Sequence, residues 1–62
     1  MTGDEVRRIR RRLGLTQAEL SEHLGVAANS VARWERDEMS IRPTAAALLR
    51  LMARIEDRGK RR

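Results

Sequence analysis

An all-α fold is predicted by three features of this 62-residue chain. Apolar residues recur at helical spacing, and capping residues and glycines divide the sequence into four pieces. No stretch sustains the period-two alternation or the Asn-Gly or Asp-Gly turn that a β-hairpin needs. The expectation is a compact four-helix domain, with or without a short fifth turn, over residues 1–57. A basic, disordered tail is expected over 58–62, because "RGKRR" carries four like charges and nothing apolar to bury.

The first helix starts from Thr2, with Glu5 three residues on. In this capping-box spacing the hydroxyl and the carboxylate each satisfy a free backbone N–H. Val6, Ile9 and Leu13 form its inward stripe, and Gly14 stops it in the left-handed conformation. Arg7, Arg8, Arg11 and Arg12 fall away from that stripe, whereas Arg10 lies about 40° from Val6, at the margin. Thr16 and Glu19 repeat the capping box ahead of "QAELSEHL", with Leu20 and Leu24 inward and Ala18 in support, and Gly25 closes this second helix. The third is expected over "VAANSVARWE", residues 26–35, with Ala27 as a weak cap turned inward. After the polar turn "RDEMSIR", Pro43 opens the fourth and longest helix, since its fixed φ and missing N–H suit a first helical position.

Fourteen basic residues against nine acidic ones give a net charge of +5, and the basic set is arginine apart from Lys60. Arginine's planar fork bonds phosphates and guanine edges bidentately, so the balance points to a polyanion. There is no cysteine, which excludes disulfides and thiolate metal sites, and the single His23 is expected as an exposed helix residue. No acidic or histidine side chains fall at metal-ligand spacing, so no metal and no cofactor are expected. No catalytic residue, enzyme pocket or small-molecule substrate is expected from so short a chain. No apolar run approaches the roughly 20 residues that cross a bilayer, so no membrane association is expected, and the location is read as cytoplasmic, nucleoid-associated if the source is bacterial. A chain of this length buries only about 60% of its unfolded surface, so a partner or a second copy would add stability.

Two short helices joined through one glycine, with Leu20, Leu24, Val26, Val31 and Trp34 to fix their crossing, make a helix-turn-helix arrangement. Ser21 supplies the small residue at their closest approach. The run "LGLTQAELSEHLGVAANSVARWERDE" resembles the helix-turn-helix of the phage repressor and Cro (XRE-like) type, with "LTQAEL", the turn glycine and the closing "WE" as its marks; the likeness covers roughly residues 5 to 52. It implies a lambda-repressor-like domain that binds double-stranded DNA as a homodimer on a two-fold operator. The chain departs from the family pattern in Ser21 for the more usual alanine, in Ala27 for a capping Ser or Thr, and in stopping after four helices.

On the third helix, Val31, Trp34 and Glu35 face inward, while Asn29, Arg33 and Arg36 lie on the opposite side. Asn pairs bidentately with adenine and Arg with guanine in the major groove. The resemblance assigns base reading to positions 28, 29, 32 and 33, where Ala28 and Ala32 offer methyl groups and Asn29 and Arg33 carry the hydrogen bonds. Trp34 is expected in the core rather than stacked on a base. Phosphate contacts are expected from Gln17, in the first turn of the second helix where free N–H groups favour an anion, and from Arg36 and Arg42 on the other side, with Thr16 and Ser40 as weaker contributors. Arg10 and Glu35 both sit at the margins of apolar faces, and proteins resembling this one commonly pair such residues, so a partly buried ion pair is expected between them.

The fourth helix carries Ala45, Leu48, Leu49, Leu51, Met52 and Ile55 over about 160° of its wheel, wider than the roughly 100° one core requires. A two-fold contact through Leu48, Leu49, Leu51, Met52 and Ile55 would cover the excess and set two recognition helices about 34 Å apart. The function expected is sequence-specific DNA binding by a homodimeric transcriptional regulator, a repressor or autoregulator. The alternative is an antitoxin-like or adaptor protein whose fourth helix binds another protein.

Overall fold

The structure, a computed structural model, describes residues 1–60, with side chains through Glu56. Its helices are α1 (Gly3–Leu13), α2 (Gln17–Leu24), α3 (Ser30–Glu35) and α4 (Pro43–Lys60), and no strand occurs among the described residues. α4 runs past the end expected at Asp57. The tail expected over 58–62 falls where side chains are not described, and residues 61 and 62 lie outside the described residues.

Both capping boxes form. Thr2 Oγ1 accepts from Glu5 N at 3.2 Å while Thr2 N donates to Glu5 Oε1 at 3.0 Å, and the Thr16 and Glu19 pair repeats this at 3.1 and 2.8 Å. Backbone N–H bonds from Thr2 and Thr16 lower the carboxyl pKa of Glu5 and Glu19. Gly14 and Gly25 take φ of 71° and 70°, where a side chain would be strained, and the next amides close each helix: Leu15 N donates to Arg10 O and Val26 N to Ser21 O.

That last bond corrects the expected start of the third helix. The Val26 amide turns back to finish α2, residues 26–29 form a bend and a turn outside any helix, and no side chain caps the start. Ser30 N instead bonds Ala27 O at 3.0 Å in a tighter turn, and regular winding begins with Arg33 N to Asn29 O at 3.1 Å. α3 is therefore six residues long, and Ala27 is exposed rather than turned inward.

α1 packs on α3 and α4, and α2 does the same. Their meeting point is a core of Val6, Leu20, Val31, Trp34 and Leu49, with Ile9, Leu13, Leu24 and Met52 at its edge. Leu49 was expected at a dimer contact and is fully buried in its own core, so it has no surface to offer a second copy. A close approach joins the start of α1 to the end of α3: a Cβ on Gly3 would lie 2.5 Å from Glu35 O and 2.6 Å from Trp34 O. Asp37, at φ 57°, holds this junction by accepting from Gly3 N at 3.0 Å through Oδ1.

Candidate nucleic-acid interface

The α2–α3 unit is fixed at its tightest point by Ser21. The side chain is fully buried and its Oγ donates to Ala28 O at 3.2 Å, holding the turn that leads into α3. An alanine there would leave that carbonyl without this donor, which gives the departure at Ser21 a physical role.

Burial on α3 divides as its short length requires. Ser30, Val31, Trp34 and Glu35 are buried, while Ala28, Asn29, Arg33 and Arg36 are exposed and Ala32 is half-buried. The four positions expected to read bases thus fall just before α3 and along its outer side. The Arg33 side chain makes no hydrogen bond or ion pair among the described residues, leaving its guanidinium available. Trp34 is buried in the core, so its ring has no face for a nucleobase.

The phosphate candidates occupy two places. Ser40 and Arg42 are exposed and share a groove with Val26, Ala27, Ser30 and Trp34, which brings the α3–α4 connection beside the start of α3. Arg36 is exposed but paired with Glu38, Nε to Oε2 at 2.9 Å, so a phosphate would compete with that carboxylate. At the other place, Thr16 is exposed at the start of α2, whereas Gln17 is turned inward and donates Nε2 to Glu35 Oε1 at 3.1 Å.

Glu35 gathers the end of α3, the start of α2 and one side of α1. Arg10 Nε lies 2.6 Å from its Oε2, Arg10 Nη2 donates to Oε1 at 3.3 Å, and Arg10 Nη1 donates to Leu15 O at 3.0 Å. Arg7 adds a longer contact, Nε to Oε1 at 3.4 Å, and reaches Glu35 O. Burial pushes the Glu35 carboxyl up, but hydrogen bonds from Arg10 and Gln17, the Arg10 charge and the Arg7 bond together hold it below the usual carboxylate value. The sequence placed Arg7 away from the apolar stripe and so missed its part here. An arginine at i−3 from Arg10, beside the same acid, was the available signal.

Residues 6–55 match the family model of the helix-turn-helix. The chain belongs to the XRE-like helix-turn-helix family of DNA-binding proteins. No curated protein and no solved structure matches it. Membership of this family supports double-stranded DNA binding, with transcription regulation as the corresponding class of function. No helix among the described residues is long and apolar enough to cross a membrane, and no group of three His, Asp or Glu among them could hold a metal ion.

Proposed function

We propose that this helix-turn-helix protein binds a two-fold operator as a homodimer and represses transcription, its own gene included. The observation that carries the reading is the outer side of α3, where Asn29 and Arg33 are exposed beside the small side chains Ala28 and Ala32. Small neighbours let the helix approach base edges closely. Asn29 would pair with adenine and Arg33 with guanine, while Arg42, Ser40 and Thr16 would hold the phosphates on either side. Arg36 would join them once released from Glu38.

The dimer contact is assigned to α4. Leu48, Leu51 and Ile55 are 39, 49 and 62% exposed and form one stripe at i, i+3 and i+7, with half-buried Met52 at its edge. A second copy burying this stripe would present two α3 helices to one face of the duplex.

Arg33→Ala is expected to relax preference at one operator position by about 1 to 3 kcal/mol while leaving binding to random duplex nearly unchanged. Arg42→Ala is expected to weaken every duplex alike; it is a cleaner phosphate variant than Gln17→Ala, which would also strip a bond from Glu35. Binding of each variant to operator and random duplex, measured by fluorescence anisotropy at fixed salt, checks both. An unchanged sequence preference in Arg33→Ala would overturn the assignment of α3.

A further inference from the structure

α1 carries five arginines, and the domain uses them unequally. Arg10 and Arg7 are committed to Glu35, with Arg7 also meeting Asp4. Arg8 and Arg11 are exposed, and their side chains make no hydrogen bond or ion pair among the described residues. With Asp4, Arg7 and Arg12 they line one shallow concavity on the outer side of α1. Arg7 and Arg11, and Arg8 and Arg12, stand four residues apart on the helix, where like charges repel. Among the described residues, Asp4 is the one acid lining this concavity. Such a face favours an anion that presents several charges together.

Its position favours DNA as that anion. Arg7 shares the Glu35 carboxylate with Gln17, the first residue of α2, and Arg10 holds Leu15 O in the link between α1 and α2. The arginine face therefore borders the start of α2, where free N–H groups and the helix dipole already suit a phosphate. We propose that Arg8 and Arg11 bind the phosphates just outside each half-site, continuing the track from the start of α2 along the same duplex. The proposal rests on the DNA-binding reading above and adds a flanking contact to it. Guanidinium forks match successive phosphates without reading sequence, so the gain is in affinity and footprint length rather than in specificity.

The test compares wild type, R8Q/R11Q and R8K/R11K on a duplex recovered from a random library, made at about 20 and about 40 base pairs so that only the longer one has flanks beyond two half-sites one turn apart. On the longer duplex, the log-log dependence of affinity on salt should become shallower in R8Q/R11Q by about 1.8 per protomer, two phosphates at about 0.9 each, and R8K/R11K should keep most of the wild-type slope. On the shorter duplex the variants should match wild type. Equal slopes for wild type and R8Q/R11Q on the longer duplex would overturn the proposal and leave the DNA reading intact. A loss equal on both lengths would place the contact inside the half-site and overturn the flanking assignment. Loss confined to bridged complexes at excess DNA would assign the face to a second duplex instead, again overturning it. Failure of wild type to prefer the recovered duplex over random sequence would defeat the DNA reading and the proposal together. Circular dichroism of each variant confirms folding, which two exposed substitutions that relieve like-charge repulsion should preserve.

Discussion

Arg10→Met is expected to lower stability by about 3 kcal/mol at neutral pH, against less than about 1 kcal/mol for Arg7→Met. The two arginines meet the same carboxylate under different conditions. Arg10 is 15% exposed and bonds Glu35 at 2.6 Å, whereas Arg7 is 39% exposed, sits at 3.4 Å and divides itself with Asp4. Removing Arg10 leaves a carboxylate that is 2% exposed with only its weaker partners, and frees Leu15 O as well. A domain of this size holds only about 3 to 9 kcal/mol in total, so the variant should melt roughly 12 to 24 °C below wild type. Acid should narrow the difference. The pKa of Glu35 is lowered on folding, so its contribution is complete above the ordinary value of 4.5 and is lost as pH falls through the lower folded value. Thermal melts followed by circular dichroism at neutral and acid pH check both statements, and equal melting temperatures for the two variants would remove Arg10 from its assigned role.

Gly3→Ala is expected to cost about 2 to 3 kcal/mol although alanine is the better helix former by about 1 kcal/mol. The added methyl would stand 2.5 Å from Glu35 O, 2.6 Å from Trp34 O and 2.9 Å from Glu35 C. All three are backbone atoms, so no side chain can swing aside and α1 must move away from α3. That movement would also stretch the bond from Gly3 N to Asp37 and loosen the Glu35 cluster. A urea titration that found Gly3→Ala as stable as wild type would contradict the close packing of this junction.

Features written in local sequence were the most legible. Thr2 with Glu5, Thr16 with Glu19, and Gly14 and Gly25 as stops depend on residues within one turn of each other, and all take those parts. Arg10 and Glu35 are far apart in sequence yet could be joined, because each stands at the edge of an apolar face. The start of α3 was not legible in the same way: "VAAN" has helix-compatible side chains, yet it forms the turn between Val26 N to Ser21 O and Ser30 N to Ala27 O. Gly3 and Asp37 escaped because their importance arises from contact between the start of α1 and the end of α3, more than thirty residues apart. Leu49 was misplaced because a wheel gives direction around a helix but not how far a neighbouring helix reaches over it. The outward placement of Asn29 and Arg33 was legible through helical phase, whereas Ala28 and Ala32 carry no chemistry that would single them out and entered only through the family resemblance.

Selection of bound fragments from a random duplex library tests the central claim most directly. Enrichment is expected of a two-fold sequence whose short half-sites lie about one helical turn, or about 34 Å, apart, each with few specified base pairs because Asn29 and Arg33 would supply most of the reading. No enrichment over random sequence, or a single site without two-fold symmetry, would contradict it.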